Sequence, residues 1–316
     1  MSAPQNRIKI NLWDKCGVQK PGRGHADSCY AVHGKVAKTV EILPGLTGPH
    51  SGEGVFDLYT GDSFNIAHQH GKTGTKIGWI QEPRELHGIQ YDKVSGNMDH
   101  WFGGDGFKYV FTHDYDLIRA DPTKFKFLLG NGFWIKEPKL YPKSKLCSMI
   151  ASLKQMTEGQ RIRCEWVTKL VKQERDAGKP GRFFLFGQDR SRGGASPENN
   201  CTIENKEEGL CDFMFSVAVE NARTDVWITE KVLDCFATGT IPIYWGTKKI
   251  THFFNEDGII FLEPDFNLKR LSWDLYESKL NAVKDNLERV KKLEIPLDYM
   301  FDDIYPELGI TKPSLI

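Results

Sequence analysis

No stretch of this 316-residue chain approaches the ~18 consecutive apolar residues that a membrane-crossing helix needs. The N-terminus, MSAPQNRIKINLW, lacks the charged-then-apolar order of a secretory signal, so the chain is expected to be soluble. Its seven cysteines (Cys16, Cys29, Cys147, Cys164, Cys201, Cys211, Cys235) are odd in number, scattered and free of any C-x-x-C pair, which points to reduced thiols in a reducing compartment. There is no net charge, since Lys plus Arg and Asp plus Glu both number 42. Without a net field to steer nucleic acid or an anionic membrane toward the protein, any phosphate recognition must be local. A P-loop is also missing: Gly71-Lys72-Thr73 needs a Gly five residues before the Gly-Lys, and Ile66 stands there. The best metal candidate, His68-Gln69-His70, puts two imidazoles on one face of a strand but has no carboxylate or thiol at a matching short spacing, so no metal site is expected.

What is present centres on Asp212–Gly246, DFMFSVAVENARTDVWITEKVLDCFATGTIPIYWG. Phe213 to Val219 is an unbroken apolar run of the kind buried on both faces of a parallel sheet. Glu220 to Asp225 reads as a loop, and Ile228, Val232, Cys235 and Phe236 then recur at helical spacing, with Thr229 placed to cap and Gly239 to stop the helix. Thr240 to Tyr244 gives a second strand, so the unit connects parallel strands by a right-handed crossover. Ligands of such units sit beyond the carboxyl ends of the strands, beside helix N-termini. Glu220, Asn221, Glu230 and Lys231 fall there. Lys231 occupies a helix start, where the dipole disfavours a cation by about 0.3–1 kcal/mol, and a bound anion would reverse that sign.

The ordered set Glu220-Asn221, Trp227, Thr229-Glu230-Lys231 and Ile241 to Gly246 resembles the donor-binding segment of the α-1,3-fucosyltransferases, glycosyltransferase family 10. The resemblance implies a GT-B fold, two Rossmann-like domains facing across a cleft, and GDP-fucose as donor substrate with no cofactor. It also implies that Glu230 accepts hydrogen bonds from donor ribose or sugar hydroxyls, that Asn221 orients phosphate or sugar, and that Trp227 stacks on a ring. Glu220, Thr229 and Lys231 complete this segment.

Elsewhere, strands are read at Arg7–Trp13, Val55–Tyr59, Lys76–Gln81, Lys108–Thr112, Leu146–Leu153, Arg182–Phe186 and Gly258–Leu262. Lys76–Gln81 delivers Glu82 at its carboxyl end. Family-10 enzymes of bacteria place their general base in that setting with an aromatic residue three positions earlier, which implies Glu82 as base and Trp79 as its companion, with Glu85 as rival. Apolar spacing predicts a helix over Arg161–Gln173 with the two arginines at its start. A guanidinium fork beside a helix N-terminus suits phosphate oxygens. The resemblance selects Arg163 for the diphosphate, with Arg161 as rival.

The expected organisation is an acceptor-side domain over 1–143, a donor domain over 144–270, and a helical segment over 271–316 packing across both, with the linker in the Pro- and Lys-rich 138–145 stretch. The expected activity is inverting, metal-independent transfer of L-fucose to a glycan hydroxyl. Its alternatives are another nucleotide sugar or a non-catalytic carbohydrate-binding protein of the same fold. The expected location is cytoplasmic, or the Golgi lumen for a catalytic domain cut from an anchored protein.

Overall fold

A computed structural model describes residues 8–13, 40–44, 56–67, 74–130, 132–152, 154–178, 181–187, 200–201, 203, 205–224, 226–293 and 300. The chain divides into two units, Met1–Gly132 with Glu294–Ile316, and Phe133–Leu293. The division after Gly132 lies ahead of the Lys143 read as the boundary, because residues 133–145 already bond to the second unit. Lys139 N–H donates to the Ala237 carbonyl at 3.0 Å and Ser144 N–H to Asp212 O at 2.9 Å.

The first unit carries a six-stranded sheet of β1 (Ile8–Trp13), β2 (Val40–Pro44), β3 (Asp57–Thr60), β4 (Lys76–Trp79), β5 (Phe107–Thr112) and β6 (Phe125–Phe127), in the order β2-β1-β3-β4-β5-β6. Its pairings are parallel throughout. Aromatic residues fill its core: Trp13 stacks on Tyr59 with ring centroids 5.6 Å apart, and Phe64 meets Phe107 at 4.9 Å. Buried Asp57 accepts hydrogen bonds from the Trp13 indole and the Asn11 amide at 2.9 and 3.0 Å, so a polar pin crosses from β3 to β1.

The second unit repeats the plan with β7 (Lys145–Ile150), β8 (Phe183–Phe186), β9 (Asn200–Cys201), β10 (Phe213–Val219), β11 (Ile241–Trp245) and β12 (Ile260–Phe261), in the order β12-β11-β10-β7-β8-β9. All of these pairings are parallel as well. Every residue of β10 is buried, as its apolar run predicts for a central strand covered on both faces. The chain leaves β7 toward β8 on one side, while β10 leads to β11 on the other. The order therefore reverses between β7 and β10, and a crevice opens beyond their carboxyl ends. Two helices begin at that crevice, Glu158–Asp176 after β7 and Glu230–Thr238 after β10.

The helix Leu280–Lys292 turns Val283, Leu287 and Val290 inward. Among the described residues its contacts include the Glu230–Thr238 helix and the turn Glu256–Gly258, both in the second unit. Residues 294–299 and 301–316 of the segment expected to pack across both domains lie outside the described residues.

Candidate functional site

The crevice holds a cavity of about 160 Å³ whose lining includes Arg163, Lys206, Ser216, Glu230, Lys231 and Asp234. Thr229 caps the Glu230–Thr238 helix, its hydroxyl accepting from Lys231 N–H, and Gly239 stops the helix at φ 69°, a left-handed conformation that favours glycine. Glu220 holds this cap from below. It is fully buried and accepts from Thr229 N–H at 2.9 Å and from the Thr229 hydroxyl at 2.6 Å. Burial pushes the Glu220 carboxyl upward in pKa, while the nearby Lys231 ammonium and the two Thr229 bonds work the other way. Glu220 is thus a buried brace for the helix start.

Arg163 is 6% exposed and reaches the same crevice from the other helix. Its Nη2 donates to the Val219 carbonyl at 2.6 Å and to Asn221 Oδ1 at 3.1 Å, which fixes the guanidinium plane at the end of β10. Burial lowers its pKa, against the attraction of Glu220 and Glu230. The helix carrying it starts at Glu158, one turn earlier than apolar spacing predicts. Thr157 accepts from Gln160 N–H at 3.3 Å and Gln160 Oε1 accepts from Met156 N–H at 2.8 Å. This side-chain pairing was legible as Thr-x-x-Gln. Arg161 and Arg163 therefore do not begin the helix. Arg161 lies exposed with its fork near the Gln155 and Met156 carbonyls, and it does not line the cavity.

Gly159 brings the two walls together. Its N–H donates to the Asn221 carbonyl at 3.1 Å, and a Cβ there would lie 1.8 Å from the Glu220 carbonyl oxygen. Only glycine permits this approach.

Sequence reasoning missed Lys206 and Asp234. The Lys206 ammonium lies 2.7 Å from Asp234 Oδ2 and 3.6 Å from Glu230 Oε1, and sits 3.9 Å over the Trp134 ring. Burial pushes the Asp234 carboxyl up to about 6, although Lys206 and the Trp134 N–H draw it down. Lys231 lies 3.2 Å from Glu230 and 3.6 Å from Glu220. No short motif joins these groups, because Lys206 and Asp234 are 28 positions apart on separate elements.

Trp79 and Trp227 are each 1% exposed, hence core residues. The stacking role expected of Trp227 needs a ring face that this burial does not offer. Glu82 lies half-buried in the first unit beyond the carboxyl end of β4. Its carbonyl accepts from the Tyr91 hydroxyl at 2.7 Å, and Tyr91 in turn accepts from His113 Nε2 at 3.1 Å, a tautomer that follows because the Tyr91 proton is already committed. Burial lowers His113 to about 3, so it is neutral at pH 7. Arg84 pairs with Asp114 at 2.9 Å and lies 4.5 Å over Tyr91, closing this cluster at the ends of β4 and β5. Glu85 is exposed in the first turn of the next helix. His68 and His70 lie outside the described residues.

The two parallel-sheet units define the class: this is the GT-B glycosyltransferase fold. Anabaena Alr3699/HepE superposes with a TM-score of 0.58 at 12% identity over 96% of this chain and all of that one, here 100%. An α1,3-fucosyltransferase superposes at 0.50 with 15% identity over 100% of this chain and 95% of the other. Within that class, residues 186–284 match the family model Glycosyltransferase family 10 (fucosyltransferase) C-term. The α-(1,3)-fucosyltransferase FucT of Helicobacter pylori is 34% identical over 70 residues, which is 22% of this chain and 15% of the length of that relative. The matched segment runs from the end of β8 past β12 and contains Lys206, Glu220, Asn221, Glu230, Lys231 and Asp234. No helix among the described residues is long and apolar enough to cross a membrane.

Proposed function

We propose that this protein transfers L-fucose from GDP-fucose to a hydroxyl of an acceptor glycan, with inversion and without a metal. The observation that carries this reading is the cavity at the strand-order reversal, where Arg163, Lys206 and Lys231 face one space beside two helix starts. The likeness of residues 186–284 to a fucosyltransferase family supports fucose as the sugar transferred.

In the reaction the acceptor oxygen bonds to the anomeric carbon from the face opposite the nucleotide. The carbon–oxygen bond to the β-phosphate breaks, and GDP departs with the electron pair. Arg163 and Lys231, with the N–H groups opening the helices after β7 and β10, meet the developing phosphate charge as fixed electrostatic stabilisation. Glu82 takes the acceptor proton, a contribution of about 10²–10⁴-fold. Glu230 and Asn221 hold donor hydroxyls and phosphate.

Calorimetric titration of the purified chain with GDP, UDP and GDP-fucose in EDTA tests this reading. GDP-selective binding with chelator present is expected; no nucleotide binding would move the reading to a carbohydrate-binding protein of the same fold. The UDP arm tests a second donor, since the HepE structure is a complex with UDP-glucose. Glu82→Gln is expected to abolish transfer and leave nucleotide binding nearly intact; full activity in that variant would remove Glu82 as the base.

A further inference from the structure

The charged groups of the crevice form an alternating line: Glu220, Lys231, Glu230, Lys206, Asp234. Successive nitrogen–oxygen separations along it are 3.6, 3.2, 3.6 and 2.7 Å. Each carboxylate is separated from the next by one ammonium, which relieves the repulsion that three acids in a small space would otherwise create. Glu220 and Asp234 side chains are 0% and 1% exposed, and Asp234, though it borders the cavity, gives its two oxygens to Lys206 and the Trp134 N–H, whereas Glu230 is 12% exposed and lines the cavity. Of the three carboxylates, Glu230 is therefore the one best able to meet a ligand.

What aims it is Lys206. Glu230 and Asp234 stand one helical turn apart on one face, the spacing that lets a single ammonium touch both. The anchor of that ammonium is Asp234, itself held by the Trp134 N–H at 2.5 Å, and the Trp134 ring closes over it. A lysine so confined has lost the freedom that makes an exposed ion pair weak. Lys206 and Lys231 both approach Glu230 Oε1, at 3.6 and 3.2 Å, and a carboxylate so placed at the cavity can accept from neutral donors such as sugar hydroxyls.

We infer that Lys206 is a positioning residue for donor recognition, holding the Glu230 carboxylate toward the ribose hydroxyls of the nucleotide. This rests on the donor reading proposed above and adds the residue that makes it selective for ribose. Lys206 acts through Glu230, so its loss weakens discrimination between nucleotides with and without ribose hydroxyls more than it weakens binding of the diphosphate.

The test is calorimetric binding of GDP and of 2′,3′-dideoxy-GDP to the full chain at pH 7.5. The native protein is expected to prefer GDP by about tenfold or more, the scale of a charge-assisted hydrogen bond. Lys206→Met should reduce the preference to within about twofold, Glu230→Gln should do the same, and Lys206→Arg should restore it, since a guanidinium can bridge both carboxylates. If Lys206→Met does not fold, the double variant Lys206→Met with Asp234→Asn removes the orphaned acid and takes its place in the comparison. Retention of the native preference in a folded Lys206→Met or double variant overturns the inference while leaving the donor site standing. Equal binding of the two nucleotides by the native protein overturns the ribose role of Glu230 and this inference with it. Absence of any GDP binding by the native protein overturns the proposed function itself.

Discussion

Replacing Gly159 with alanine tests how tightly the two walls of the crevice are matched. The added Cβ would sit 1.8 Å from the Glu220 carbonyl oxygen and 2.8 Å from the Asn221 carbonyl carbon and oxygen. Ordinary contact begins near 3.4 Å, so one wall must retreat by roughly 1.6 Å. Neither side yields cheaply, because the obstacle is backbone on both. The helix start is tied down by the Thr157–Gln160 pairing, and the loop by Glu220 N–H bonding to the Trp245 carbonyl at 2.9 Å. Alanine gains up to about 1 kcal/mol of helix propensity, less this close to the N-terminus. Overpacking costs about 1–3 kcal/mol, so net destabilisation of about 1–2 kcal/mol is expected. A retreat of that size also stretches the Arg163 bonds to Val219 and Asn221, now 2.6 and 3.1 Å, and moves the guanidinium off the position from which it is proposed to meet phosphate. GDP affinity should fall about 10- to 100-fold, the range of a lost charged hydrogen bond. Thermal unfolding reads the first effect and calorimetry the second. A Gly159→Ala protein with native melting temperature and native GDP affinity would refute the close-approach argument.

Arg163→Lys should weaken GDP binding by about 10-fold or more, because an ammonium cannot keep the Val219 and Asn221 bonds and also present a fork to phosphate, whereas Arg161→Ala should bind as the native protein does. The buried Lys143 ammonium, pushed down to about 7 by burial, donates to the carbonyls of Leu210, Cys211 and Thr238 and to Thr240 Oγ1. Lys143→Met strands these acceptors and should cost about 2–4 kcal/mol in denaturant titration. His113 has a folded pKa of about 3 against an ordinary 6.5, so its contribution to stability is present above pH 6.5 and is lost as pH falls through 3. Acid titration of stability should show a slope of about 1.4 kcal/mol per pH unit within that window, and His113→Gln should remove it.

Much of this architecture was legible in the sequence. Apolar runs placed β10 and most strands to within a few residues, and Thr229 and Gly239 announced both ends of their helix. These features depend on neighbours within a few positions. The residues that escaped depend on neighbours far along the chain. Lys143 read as a polar linker lysine, yet its partners lie between 67 and 97 positions downstream. Lys206 and Asp234 meet only because the short helix Glu207–Leu210 before β10 packs against the helix Glu230–Thr238 after it. Trp227 looked like a ligand-facing aromatic because its position matches a family pattern, but the fold uses it as core.

The Trp134 N–H that holds Asp234 belongs to the chain's passage from one unit into the next, two residues beyond Gly132. The same passage is tied again by Lys136 N–H to Glu207 at 3.2 Å, beside Lys206. A tug on that passage is therefore delivered to the helix bearing Glu230 and Lys231, one turn below their side chains. Glu230 and Lys231 thus stand on a helix that is anchored directly to the first residues of the second unit.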